Sequence, residues 1–180
     1  MRLFIAHGLS APVKTQLVHA INRLKKMADK GSFVRAENLH LTVQFIGETP
    51  ADRVPEIADI LDRAAAGTNP YALELTAPGR FLKGRESIVW YGLAGGTGSL
   101  SALHRRLSGG LNEAGFIRDT RPLKPHITLA RRVRLNIPWE QAAEKMAVKS
   151  APFTVSDITL FESRRINGVL TYIPIHTRSF

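Results

Sequence analysis

The chain contains no cysteine among its 180 residues. That absence removes disulfide frameworks, thiolate zinc sites, iron–sulfur clusters and cysteine nucleophiles together. Long apolar runs are missing too. The longest uncharged stretch, 87–103, carries Gly92, Gly95, Gly96 and Gly98 and is too polar to span a bilayer. Residues 3–6 are the only apolar run between Arg2 and His7. A secretory signal needs about 7–15 apolar residues, so a cytoplasmic protein is expected. Acidic residues are scarce: 15 Asp and Glu stand against 25 Lys and Arg, a net charge of +10. Such an excess favours polyanionic partners, whether nucleic acid, nucleotide or acidic membrane. The alternative is a basic protein with no such partner.

What is present is ordinary globular material. Apolar residues make up 44% and charged residues 22%, and a chain of this length buries roughly 70% of its unfolded surface. One domain over 1–180 is expected. Residues 2–9 read as a strand, followed by Ser10 as a helix cap and Pro12 in the first helical turn. Val13, Leu17, Ile21, Leu24 and Met27 recur at helical spacing. A β-like run at 40–46 ends at Gly47, and a second helical stripe runs from Val54 to Ala64 with Gly67 as its stop. Strands are expected at 71–76 and 87–93, joined by a loop containing Pro78, Gly79 and Gly84. The order then begins again. Leu100, Leu103, Leu107 and Leu111 form a stripe weakened by Gly109-Gly110, and a β-like run follows at 126–131. A helix over 138–148 precedes two closing strands, 153–161 and 169–176.

Strand, helix, His-x-Thr strand, helix, strand thus occurs twice. The two histidines, His40 and His126, lie almost half a chain apart. The expected fold is α+β: a bilobal duplicated unit with two antiparallel-rich sheets, flanking helices and a pseudo-twofold central cleft. On a strand, residues i and i+2 share a face, so His40 sits beside Thr42 and His126 beside Thr128. A twofold relation makes the two pairs converge. Two imidazoles and two hydroxyls suit in-line phosphoryl displacement. One neutral His takes a proton, one protonated His gives one, and the hydroxyls hold the phosphoryl oxygens. Spacing leaves open which imidazole plays which part. The competing reading is two ordinary strand histidines, each hydrogen-bonded in a core. No His-x-His, His-Glu-x-x-His or carboxylate cluster suggests a metal.

The segment from Glu37 through His40-Leu41-Thr42-Val43-Gln44-Phe45-Ile46-Gly47 resembles the first motif of the two-histidine phosphoesterases. Arg121-Pro122-Leu123-Lys124-Pro125-His126-Ile127-Thr128-Leu129-Ala130-Arg131 resembles the second. The branch most resembled is the RNA 2′,3′-cyclic phosphodiesterases, historically called bacterial 2′-5′ RNA ligases. The likeness extends to the opening residues 1–6 and to Leu160-Phe161-Glu162-Ser163. It implies opening of a terminal 2′,3′-cyclic phosphate to a 2′-phosphomonoester without metal or cofactor. It also implies His40 as proton donor, His126 as proton acceptor, and Thr42, Thr128 and Arg131 as phosphate contacts. Strand parity turns Arg131 away from His126, so that contact requires a strand end or a bulge.

Gln44 stands where the family commonly has lysine, and His7 stands in the opening strand where an apolar residue is usual. RNA with a cyclic phosphate end is the expected partner, acted on by a monomer with no membrane contact. The alternatives are a non-catalytic RNA- or nucleotide-binding module, or the same chemistry on a small cyclic nucleotide or an ADP-ribose cyclic phosphate. Phe45, Tyr71, Phe81, Trp90, Tyr91 and Phe116 are the aromatics from which a base-stacking platform would be drawn.

Overall fold

The opening apolar run forms strand β1 (Arg2–Gly8), in which five consecutive residues, Leu3 to His7, are buried. A strand buried on both faces lies inside a sheet, and β1 pairs with β3 (His40–Glu48) on one side and β8 (Asp157–Ile166) on the other. With β9 (Val169–Ser179) they make a four-stranded antiparallel sheet in the order β3-β1-β8-β9. The second sheet has the order β2-β6-β5-β4-β7, from β2 (Ala28–Phe33), β6 (His126–Leu135), β5 (Glu86–Gly95), β4 (Tyr71–Lys83) and β7 (Phe153–Val155). All of its pairings are antiparallel as well. This computed structural model describes residues 1–117, 122–149 and 151–180.

Helices change sides. Helix α1 (Ala11–Lys25) leaves β1 of the first sheet and packs on the second, against β2, β6 and α4 (Trp139–Met146). Helix α3 (Thr97–Glu113) leaves β5 of the second sheet and packs with α2 (Val54–Ala65) on the first. Each sheet is thus covered by a helix that begins on the other, and one continuous apolar core results. The stripe of α1 enters it as the 3.6-residue period requires: Leu17 and Leu24 are fully buried. Ser10 holds the N-cap position, but its hydroxyl makes no capping bond; Pro12 sits in the first turn as expected. Among the described residues no helix is long and apolar enough to cross a membrane.

Several expectations need correction. The segment with Pro78 and Gly79 is strand, not loop: β4 runs to Lys83 and only the turn at Gly84 intervenes before β5. Pro78 is tolerated because pairing is irregular between Leu75 and Pro78, and because β7 covers β4 only along Tyr71–Leu73. Gly79 lies opposite Trp90, and a Cβ there would come within 2.1 Å of the indole. The indole lies on bare backbone. Gly109-Gly110, expected to weaken the end of the stripe, lie within α3, which runs on to Glu113; a Cβ on Gly110 would meet Ile60 at 2.9 Å, so the glycine admits α2. The expected strand 153–161 is two strands in two sheets, β7 beside β4 and β8 beside β1. Strand β2 was not expected.

Candidate active site

In β3 the side chains of Leu41 and Val43 enter the core, so alternation turns His40 and Thr42 to the opposite face. In β6, Ile127 and Leu129 are fully buried and turn out His126 and Thr128 in the same way. Strands β3 and β6 approach each other across a central cleft. Thr42 of one half and His126 of the other line the same cavity, and the His126 charge acts on His40. The two pairs expected to converge do so.

Both imidazoles are held alike. His40 Nδ1 lies 2.7 Å from the Asn38 carbonyl, and His126 Nδ1 lies 2.7 Å from the Lys124 carbonyl. A carbonyl only accepts, so each Nδ1 carries the proton and donates. Each Nε2 is then the ring atom able to exchange a proton: a base when the ring is neutral, an acid when it is charged. Asn38, itself buried, is fixed in turn by donating from Nδ2 to the Leu170 carbonyl on β9 at 2.8 Å. Each ring also packs against two aromatics. Phe4 and Tyr172 lie 5.0 and 5.1 Å from His40, centroid to centroid; Phe81 and Trp90 lie 5.4 and 5.9 Å from His126. Phe4 and Tyr172 escaped the sequence reading, because nothing local marks an aromatic that supports a distant histidine.

The electrostatics of the two differ. Burial, the largest cause, holds the His40 pKa below the ordinary histidine range; the Asn38 carbonyl opposes this, and the Arg131, His126 and Lys14 charges add to it. Arg131 is exposed and belongs to β6, yet its charge acts on His40 and on Tyr172, both from the other sheet. The bulge that this position requires is there. Val89 pairs with Ala130 and Ser87 with Val133, so β6 has an extra residue at Arg131-Arg132, and Arg132 has φ +55°. Thr42 and Thr128 are half-buried, and among the described residues no protein group takes either hydroxyl. Arg121, quoted in the second motif, lies outside the described residues.

Gln44 is tied down. Its Oε1 accepts from the Ser108 hydroxyl at 2.8 Å, and its Nε2 donates to the Phe45 carbonyl at 3.0 Å. Ser108 in turn lies 3.1 Å from Nε2 of the buried His104. A neutral, hydrogen-bonded amide stands where the resembled family commonly has lysine. His7 is also explained. It is buried, donates from Nδ1 to the Asp157 carbonyl at 2.6 Å and accepts at Nε2 from the Tyr71 hydroxyl at 2.8 Å, joining one sheet to the other. Of the candidate stacking aromatics, Tyr71 and Tyr91 are core, whereas Phe45 is 62% exposed.

The cleft has two arms. A cavity of about 1020 Å³ on the His126 side is lined largely by apolar groups, among them Phe45, Phe81 and Phe116. A cavity of about 530 Å³ lies on the Arg131 and Tyr172 side. Among the described residues no group of three or more His, Asp or Glu is placed to hold a metal ion.

Comparison with known proteins bears on the family and the fold. An RNA 2′,3′-cyclic phosphodiesterase of Escherichia coli is 29% identical over 178 residues, covering 97% of this chain and 93% of the relative. Another, from Geobacillus stearothermophilus, is 27% identical over 161 residues; the match covers 86% of this chain, which spans about half (51%) of that relative. The crystal structure of E. coli LigT complexed with 3′-AMP superposes with a TM-score of 0.80 at 27% identity, over 99% of this chain and 97% of that one. The model of the 2′-5′ RNA ligase superfamily matches residues 13–167. Matched over most of its length in sequence and nearly all of it in fold, the chain belongs to that superfamily.

Proposed function

We propose that this protein hydrolyses the 2′,3′-cyclic phosphate at an RNA end to a 2′-phosphomonoester, with His126 as general base and His40 as general acid. One observation carries the reading: two imidazoles facing one cleft, each locked by Nδ1 to a backbone carbonyl two residues upstream. Nε2 of neutral His126 takes a proton from the attacking water. Nε2 of protonated His40 delivers one to the departing ribose 3′-oxygen, so the proton count is unchanged over a turnover. Thr42 and Thr128 donate to the non-bridging oxygens, where charge gathers in the transition state, and Arg131 adds a cation at the same place. The acid role needs a proton on a histidine that burial and Arg131 disfavour. The substrate phosphodiester supplies the missing negative charge, favouring protonation when it binds. An RNA 5′-hydroxyl in place of water would reverse the chemistry into 2′-5′ ligation through the same residues. The sequence identity to RNA 2′,3′-cyclic phosphodiesterases supports RNA as the substrate class, and the single unit over residues 1–180 is expected to act as a monomer.

Product analysis on an RNA with a 2′,3′-cyclic end, with EDTA present, tests this. A 2′-phosphate product formed at an undiminished rate is expected. No turnover at any pH would leave a binding module. Loss with EDTA and rescue by a divalent cation would make His40 and His126 metal ligands.

A further inference from the structure

The arm of the cleft beside Arg131 is strongly cationic. Arg35, Lys83, Arg131, Arg132 and Arg165 line it against Glu86, its one lining carboxylate among the described residues. Glu86 is already paired with Lys30 at 2.9 Å, and Arg35 with Glu37 at 3.3 Å. Two of the arginines are oriented by neutral acceptors: Arg132 donates to Ser32 Oγ at 2.7 Å and Arg165 to the Gly168 carbonyl at 2.8 Å. Such contacts fix a guanidinium without cancelling its charge. Arg132 is also held at φ +55°, a left-handed conformation unfavourable for a residue with a Cβ. Both sheets contribute: Lys83 comes from β4, Arg131 and Arg132 from β6, and Arg165 from β8. Gathering like charges in one groove is unfavourable unless an anion is to lie there.

The groove adjoins the reaction site: Tyr172 lines it and packs against His40 at 5.1 Å between ring centroids, and the charge of Arg131, also in its lining, acts on His40. Among the described residues the opposite arm offers Lys124 as its one Lys or Arg and is otherwise mostly apolar, against five such residues in the cationic arm. We infer that the cationic arm is a subsite for internucleotide phosphates, holding the RNA strand upstream of the cyclic end, so that the enzyme works better on oligoribonucleotide ends than on mononucleotides. This rests on the phosphodiesterase reading and adds a direction and a chain-length preference to it.

The test is a length series sharing one terminal nucleotide: a cyclic mononucleotide, then oligoribonucleotides of two to five residues with the same cyclic end. kcat/KM is expected to rise at least tenfold by the trinucleotide, mainly through KM. Each further phosphate engaged should steepen the log–log salt dependence by about 0.7. The paired substitution Arg132→Gln/Arg165→Gln is expected to remove most of the length advantage. Arg105→Gln, on an exposed face of α3 outside the cleft, should preserve it. Hydrolysis of the mononucleotide with a flat length series overturns this inference and leaves the phosphodiesterase reading standing. A length advantage abolished by Phe45→Ala and kept by the arginine pair also overturns it, by sending the strand into the apolar arm. Failure to hydrolyse any member of the series overturns both.

Discussion

The two halves of the site hold their histidines in the same way and surround them differently. Both rings donate from Nδ1 to a carbonyl two residues back, at the same distance, and both carry a threonine two residues on. Yet the His40 contact is partly buried and that of His126 is exposed, and Arg131 acts on His40 from the opposite sheet. Strand geometry repeats with the sequence motif, whereas dielectric and neighbouring charge do not. A nearly symmetric scaffold thereby gives its two histidines different environments.

Removing either imidazole should produce the largest effect. His40→Ala and His126→Ala are each expected to lower kcat by about 10²–10⁴-fold, measured on protein whose thermal unfolding is unchanged. The double variant should lose far less than the product, because the two groups act as a unit. A folded His126→Ala protein with near-normal turnover would end the mechanism.

The next effect concerns what keeps the halves together. Burial lowers the His7 pKa to about 4, against the Asp157 hydrogen bond that raises it. A folded-state value below the unfolded one means that stability is full above about pH 6.5 and is lost as pH falls toward 4. The loss attributable to this group is about 3 kcal/mol. Denaturant titrations of His7→Phe should show less stability at pH 7, since the Tyr71 hydroxyl loses its acceptor, and a flatter acid limb. Equal acid limbs in the two proteins would count against His7.

Thr42→Val and Thr128→Val keep side-chain shape but remove a hydrogen bond to a charged oxygen worth about 1.5–3 kcal/mol. Losses of about 10- to 150-fold in kcat/KM are expected. Unequal losses would extend the asymmetry from the histidines to the threonines; no loss would mean that neither hydroxyl touches the phosphate.

The smallest effect is the most discriminating. Arg131 lowers the His40 pKa, so Arg131→Gln should raise it. An NMR titration of the His40 ring in the variant should show that rise; an unchanged titration would mean that the Arg131 charge does not reach His40 and that burial alone sets the difference between the two halves.

Periodic features were legible along the chain. The stripe of α1 and the parity of His40 with Thr42 follow from helical and strand repeats that need no distant partner. Strand β2 shows where legibility ends: its sequence, Ala-Asp-Lys-Gly-Ser-Phe, has no apolar alternation. It is extended because β6 supplies hydrogen bonds to its backbone. Pro78 and Gly79 carry loop chemistry by residue type, and a bulge and the Trp90 indole keep them in a strand.

The local sequence by itself determined which residues share a face, because a two-residue period places imidazole and hydroxyl together in each half, wherever the strand goes. Tertiary structure decided which sheet each strand joined, which helix covered it, and that Arg131 reached His40 through a bulge in β6. It also set the environments that distinguish the two histidines. Those outcomes depend on contacts between residues far apart in the chain, and on the burial that such contacts create, which no local spacing encodes.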